Sequence, residues 1–453
     1  MLVRQRLTLV ILVTVGPLVL AACGGELPPG GDSLPSPPGL ASPSVAPSTP
    51  TTSPDMSAIA GSPTAPVSRN VEAEAAEIAS RLTLEQKVGQ MMMVGIAGPS
   101  LDELSGGAIE SHHFGNTALL GRNLESAEGT RTLVAELQKA GAQANGGLGM
   151  FVAADLEGGT VWRVPPDVPS FPSARSIGAT GSTTIAEEAG AAVGRLALAL
   201  GVNMDLAPVL DVDDNPMNSV IGSRSYGSDP ELVSAVGRAF MKGLLGSGVV
   251  PVAKHFPGHG STLDDPHELL PTVDDSIAML QAVELEPFRR AIEAGLPAIM
   301  TAHVYYPALS GPVPVPATLS REVVTGLLRD EFGFDGVVLS DDFSMGAITR
   351  EFDSVDAAVR AVNAGVDMIV IAGPIDASRE DLINRQIAIH EGIVGAVEDG
   401  RISREVVDSA VVRILRLKLA FAVGSEQPNE RLEQATREIE RLAQLIYDVG
   451  AAR

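Results

Sequence analysis

The stretch Lys254-His255-Phe256-Pro257-Gly258-His259-Gly260-Ser261-Thr262-Leu263-Asp264-Asp265-Pro266-His267 holds one lysine, three of the chain's seven histidines and two aspartates in fourteen residues. A packed core does not accommodate such a string, because every buried polar group needs a partner. Beyond His255 its Pro and Gly exclude helix and strand, so that part reads as a loop. Within it Asp265 and His267 stand two apart. A carboxylate at that spacing can hold one imidazole nitrogen and raise the basicity of the other, which general acid/base chemistry needs. An isolated D-x-H also caps turns, so the neighbourhood decides.

Two further segments supply that neighbourhood. In Gly336-Val337-Val338-Leu339-Ser340-Asp341-Asp342-Phe343-Ser344-Met345 an apolar run ends in two acids. Asp341 is expected to point into a site, and Asp342 to turn away or bind loop backbone. A carboxylate facing a proton donor is what retaining glycoside hydrolysis requires, although Ser-Asp-Asp also begins many helices. In Asp155-Leu156-Glu157-Gly158-Gly159-Thr160-Val161-Trp162-Arg163, Asp155 suits two sugar hydroxyls, with Arg163 bracing it. Trp162, the single tryptophan, fits a sugar face or the core equally well. Lys254, His255 and Arg224 add donors for hydroxyls. Zinc is the competing chemistry for a histidine cluster, but metal-dependent amidohydrolase barrels open with an H-x-H pair on the first strand. Here that strand reads Met91-Met92-Met93-Val94-Gly95, so neither metal nor cofactor is expected.

The elements that must position these residues follow a repeat. A helix-like stretch, a glycine and a short apolar run without polar alternation recur at Gly147, Gly201, Gly248, Gly295 and Gly365. Glycine closes a helix in the left-handed conformation, and unbroken apolar runs suit parallel strands covered on both faces. The expected strands are Met91–Gly95, Thr117–Leu120, Met150–Asp155, Asn203–Val209, Val249–His255, Ala298–His303, Gly336–Asp341 and Met368–Ala372. Eight strands alternating with helices indicate an α/β fold, a TIM-type (β/α)8 barrel with a single catalytic domain. A doubly wound open sheet is the alternative, weakened by the lack of a phosphate-binding glycine fingerprint after the first strand. Barrel sites form at strand C-termini, which puts Asp155, Lys254, His255, His303 and Asp341 together.

The ends of the chain carry other information. Arg4 and Arg6 precede an apolar run from Leu7 to Leu20 that Pro17 interrupts, which reads as a secretory leader over residues 1–22. It closes in Leu20-Ala21-Ala22-Cys23-Gly24, which is similar to the bacterial lipobox, and Cys23 is the only cysteine. Lipidation of Cys23 is therefore expected, with the protein held on the outer side of the cytoplasmic membrane. Residues 23–70, rich in Pro, Ser, Gly and Thr, read as a disordered tether, 71–424 as the barrel, and 425–453 as a helical tail that packs outside it or frays. A formal charge of -24 argues against nucleic acid as a partner.

From Leu82 to Phe421 the sequence resembles glycoside hydrolase family 3, specifically its β-N-acetylglucosaminidases. K-H-F-P-G-H-G followed by D-x-H is the most specific motif, and Leu82-Thr83-Leu84-Glu85-Gln86-Lys87-Val88-Gly89-Gln90 opens the match. The resemblance implies that Asp341 is the nucleophile, His267 the acid/base with Asp265 as its partner, and Asp155, Arg163, Arg224, Lys254 and His255 the sugar-binding set. It departs from the common pattern at Pro266, Leu156 and Ser219, and the second αβα domain of many members is not expected here. The implied protein is a monomeric retaining exo-β-N-acetylglucosaminidase acting on GlcNAc-containing muropeptides or disaccharides in peptidoglycan turnover. A muropeptide-binding lipoprotein without activity, a β-glucosidase and a GlcNAc phosphorylase are the alternatives. Cys23→Ala is expected to move the protein from the membrane fraction to the aqueous fraction on detergent phase separation. Retention with membranes would refute lipidation.

Overall fold

The computed structural model describes residues 69–374, 377–423 and 431–452. The leader, Cys23 and the tether lie outside the described residues. Ten strands occur in chain order: β1 (Met92–Gly95), β2 (Asn116–Ala118), β3 (Phe151–Ala154), β4 (Leu156–Gly158), β5 (Val161–Trp162), β6 (Met204–Asp205), β7 (Val250–Phe256), β8 (Ala298–Thr301), β9 (Val337–Asp342) and β10 (Met368–Ile371). Eight of them close into a parallel barrel in the order β1-β10-β9-β8-β7-β6-β3-β2, and β4 with β5 forms a separate antiparallel hairpin. Closure selects the TIM-type barrel over the open sheet.

The repeat has a direct physical cause. Gly147, Gly201, Gly248, Gly295 and Gly365 all have positive φ. Gly201, Gly248 and Gly365 end the helices Thr183–Leu200, Pro230–Ser247 and Ser354–Ala364 in the left-handed cap. Each cap turns the chain back into an apolar strand, and β1, β3, β8 and β10 are buried along their whole length.

One expected strand is much shortened, and one hairpin is added. Asn203–Val209 shrinks to β6, because Pro208 lacks the N–H that a ladder needs. The chain nevertheless stays beside β7, where Val252 donates to the Ala207 carbonyl at 3.0 Å and Lys254 to that of Pro208 at 3.1 Å. The β4–β5 hairpin was not expected at all. It turns through Gly158 and Gly159, at φ of 83° and 61°, which residues with a side chain rarely adopt.

Around the barrel, the helices Thr183–Leu200 and Pro230–Ser247 cross in close contact. A Cβ on Gly190 would meet the Phe240 carbonyl oxygen at 2.1 Å, and one on Gly243 the Glu187 carbonyl oxygen at 2.1 Å. The helix Leu432–Ala451 lies on the first of these, burying Ala435, Ile439, Leu442 and Ile446. Arg195 there donates to Glu438 at 2.8 Å. This helix therefore packs against the barrel's helices. At the barrel floor the buried Asp367 joins Arg329 and Arg413 while accepting the Val338 N–H at 2.8 Å.

In an exposed helix Gly→Ala stabilises by roughly 0.5–1 kcal/mol. Gly243→Ala is instead expected to destabilise by about 1–3 kcal/mol, because the crossing has no room for the methyl group. Urea unfolding measures this, and a gain in stability would show that the two helices separate freely.

Candidate active site

The strand C-termini build one face of charge and imidazole. Lys254, near the end of β7, is buried, and its ammonium reaches Asp155 at 2.6 Å and Glu157 at 2.7 Å. Arg224, on the short turn Gly222–Arg224, completes the cluster by gripping Glu157 with two parallel bonds of 2.8 Å. A fork-on-carboxylate pair of this kind is strong and fixes direction. Burial works against ionisation of Glu157, but Arg224 and Lys254 outweigh it and bring its pKa down to about 2. Next to them Asp205, at the end of β6, is pushed up to about 8, by burial first and then by the charges of Asp155 and Glu157. It is thus a neutral acid at pH 7.

His255 is held differently. Asp211 receives the His255 N–H at 3.0 Å, its Nδ1 at 2.6 Å and the His259 N–H at 2.8 Å. Because Asp211 stays ionised and only accepts, Nδ1 carries the hydrogen and Nε2 faces Arg224 at 3.4 Å. His259 bonds Thr262 through Nδ1 and is held neutral, mainly by burial, at about 4.

Asp341 lies at the penultimate position of β9. Burial raises its pKa, yet His255, His303, the Asp342 N–H and Lys254 together hold it below the ordinary 3.8. Its neighbour Asp342 does bind loop backbone, accepting from the N–H groups of Ser344 at 2.9 Å and Gly373 at 2.7 Å. His303, two residues past β8, is buried and kept toward the neutral form by that burial.

Opposite this wall is the loop of residues 257–276. Asp265 accepts the His267 N–H at 2.9 Å and the His267 Nδ1 at 2.7 Å on the same oxygen. The Asp265 pKa is lowered against its burial by those two bonds. Nε2 of His267 is left for a reactant, and the side chain is 68% exposed.

Asp155, Arg163, Arg224, Lys254, His255, His267 and Asp341 line a single cavity of about 450 Å³, with Pro266, His259 and Met345 also in the lining. Asp265 touches this cavity only through His267. A larger cavity of about 880 Å³ opens near Pro297, Gly336, Arg413 and Phe421, at the starts of the strands. It gathers no comparable set of acids, bases and imidazoles, so chemistry rather than size marks the site.

One expectation is corrected. Arg163 does not brace Asp155 with its guanidinium; it donates only its backbone N–H to the Asp155 carbonyl, at 3.0 Å. Lys254 braces the carboxylate instead, and among the described residues the Arg163 guanidinium has no ion-pair or hydrogen-bond partner. Trp162 is a packing residue, since its indole N–H goes to the Pro169 carbonyl at 2.9 Å and its ring stacks on Phe171. Glu157 and Asp211 were not anticipated. Each has only apolar or glycine residues as immediate neighbours, in Leu156-Glu157-Gly158 and Leu210-Asp211-Val212, and a buried acid demands a partner. No group of three or more His, Cys, Asp or Glu side chains among the described residues is arranged to hold a metal ion.

A closed parallel barrel thus brings a wall carboxylate and a carboxylate-held imidazole to one polar cavity. Residues 83–417 match the family described as "Glycosyl hydrolase family 3 N terminal domain". The chain is 36% identical over 341 residues to "Beta-hexosaminidase A" of Pseudoalteromonas piscicida, covering 72% of this chain but 56% of that protein, so it spans little more than half of that relative. It is 32% identical over 421 residues to "Beta-hexosaminidase LpqI" of Mycobacterium tuberculosis, covering 91% of this chain and 97% of the other. Among solved structures, a glycoside hydrolase family 3 β-N-acetylglucosaminidase from Paenibacillus sp. str. FPU-7 matches with a TM-score of 0.74 at 40% identity, over 80% of this chain and 68% of that one. The chain belongs to glycosyl hydrolase family 3.

Ionised Glu157 contributes stability above pH 4.5 that is lost as pH falls toward 2, because its folded pKa is depressed. Glu157→Gln leaves Arg224 buried without its carboxylate and is expected to cost about 3–5 kcal/mol at pH 7. The variant should also lose less stability than the parent between pH 4.5 and 2, as read by denaturant titration at several pH values. Equal acid sensitivity of the two would place the titration elsewhere.

Proposed function

We propose that the protein is a retaining β-N-acetylhexosaminidase that removes terminal N-acetylglucosamine through a covalent glycosyl-enzyme. The observation that carries this reading is the shared cavity of Asp341 and the Asp265-held His267. The names of the relatives support the acetylated sugar as substrate.

In the first step an Asp341 oxygen attacks the anomeric carbon as the glycosidic bond breaks, and His267 Nε2 gives its proton to the leaving oxygen. The surrounding imidazoles and Lys254 keep Asp341 ionised for this attack. In the second step neutral His267 takes a proton from water while that water displaces Asp341, restoring both groups and the original anomeric configuration. Asp265 keeps the hydrogen on Nδ1 and so keeps Nε2 in play throughout. The sugar hydroxyls are assigned to Asp155, Lys254, His255, Arg224 and Arg163; the free guanidinium of Arg163 suits this role.

The finer reading places the substrate among peptidoglycan fragments and the protein on the membrane surface through Cys23. It rests on the lipobox-like sequence and the tether length. A chitin-derived disaccharide would meet the same chemistry, so release of N-acetylglucosamine from a purified muropeptide tests the substrate directly.

Asp341→Ala is expected to lose about 10⁴-fold or more in kcat on a chromogenic N-acetylglucosaminide, with the fold retained. The acid limb of kcat/KM should lie below pH 3.8, because a lowered pKa keeps the nucleophile ionised further into acid. Activity on the glucoside equal to that on the N-acetylglucosaminide, or full activity in Asp341→Ala, would overturn the proposal.

A further inference from the structure

The loop of residues 257–276 is anchored unevenly. Its outgoing leg is clamped: Tyr306 donates to the Gly258 carbonyl, Asn218 to the His259 and Gly260 carbonyls at 2.8 and 2.9 Å, and Ser261 to Glu284 at 3.0 Å. Its returning leg pairs with Tyr305, through Pro271 at 2.8 Å and Val273 at 2.9 Å. Between them lies the tip, residues 263–270. Among the described residues only two hydrogen bonds join that tip to the rest of the protein: Ala347 N–H to the Pro266 carbonyl at 3.0 Å and Gly346 N–H to the His267 carbonyl at 3.1 Å. The other bonds of the tip are internal, from Glu268 and Leu269 to the Asp265 carbonyl and from His267 to the Asp265 carboxylate.

Both external donors begin the short helix Gly346–Thr349, five and six residues after Asp341. Gly346 has no positive φ, so its backbone conformation does not call for glycine. What excludes a side chain is the tip itself: a Cβ on Gly346 would lie 2.5 Å from the His267 carbonyl oxygen, 2.8 Å from that of Glu268 and 3.0 Å from the Glu268 carbonyl carbon. All three are backbone atoms, so no rotamer change relieves the contact. The tip would have to move away, carrying His267 with it.

We infer that Gly346 is a positioning residue for proton transfer: the bare backbone of Gly346–Ala347 docks the loop tip and sets His267 against the strand that carries Asp341. This rests on His267 being the acid/base, as proposed above. The consequence is a direct tie between the two halves of the reaction. The turn that leaves β9 after the nucleophile is the same one that receives the proton donor.

The test compares two leaving groups. A dinitrophenyl N-acetylglucosaminide departs without a proton, whereas a benzyl N-acetylglucosaminide needs one. In Gly346→Ala, kcat/KM for the benzyl substrate is expected to fall roughly 10- to 100-fold, part of the 10²–10⁴ that general acid catalysis contributes, and for the dinitrophenyl substrate to stay within about threefold. Amide hydrogen exchange should quicken at residues 264–269 and not in the barrel strands. His267→Ala, measured alongside, must show the same leaving-group selectivity, more strongly. If His267→Ala is selective but Gly346→Ala loses both substrates equally or neither, the docking role is refuted and the acid/base assignment stands. If His267→Ala itself shows no selectivity, the acid/base assignment fails and the docking role with it.

Discussion

Burying Lys254 at the mouth of a barrel is the constraint that organises this site. A solitary ammonium in that position would be costly, and it is tolerated because Asp155 and Glu157 both lie within ion-pair distance. Glu157 in turn is bonded twice to Arg224. Four charges contributed by β7, the β3–β4 corner, the hairpin and the Gly222–Arg224 turn therefore fix one another. The direction of each donor is set before any ligand arrives, which is what preorganised recognition needs.

Asp341 benefits from the same arrangement without belonging to it. It is embedded in β9, and the nearby imidazoles and ammonium offset the burial that would otherwise neutralise it. His267 has the opposite character: exposed, on a loop, and oriented by a carboxylate two residues away. In the proposed reaction the donor must first meet a leaving sugar and then a water molecule, which a movable imidazole facing a rigid carboxylate suits. Two hydrogen bonds hold the tip of that loop, worth about 1–3 kcal/mol together, a barrier that thermal motion crosses readily.

Much of this was legible in the sequence, for reasons that can be located. The helix–glycine–apolar repeat is written in residues whose conformational demands are local, so strand count and barrel class follow from it. The strand-end rule then gathered Asp155, Lys254, His255 and Asp341. What escaped was determined by distant contacts. Glu157 sits on a hairpin only a few residues long, and its importance depends on Arg224, 67 positions later. Asp211 lies past Pro208, beyond the ladder, and its role depends on the backbone of His255 and His259. Proximity in sequence favours Arg163 as the brace of Asp155, whereas barrel closure brings Lys254, two strands away on β7, to 2.6 Å from it. Gly346 carries no signal in composition, because the atoms that exclude a side chain there come from residues 267 and 268.

Asp205 shares this wall as a neutral acid. At pH 7 the wall counts two cations, Lys254 and Arg224, against two anions, Asp155 and Glu157, with Asp205 silent beside them. Above about pH 8 Asp205 ionises and the parity breaks. A third carboxylate then draws on the same ammonium, loosening its hold on Asp155 and on whatever hydroxyl that pair would grip. Alkali would thus act on the wall, so a decline in affinity at high pH carries the signature of a residue that takes no part in bond breaking.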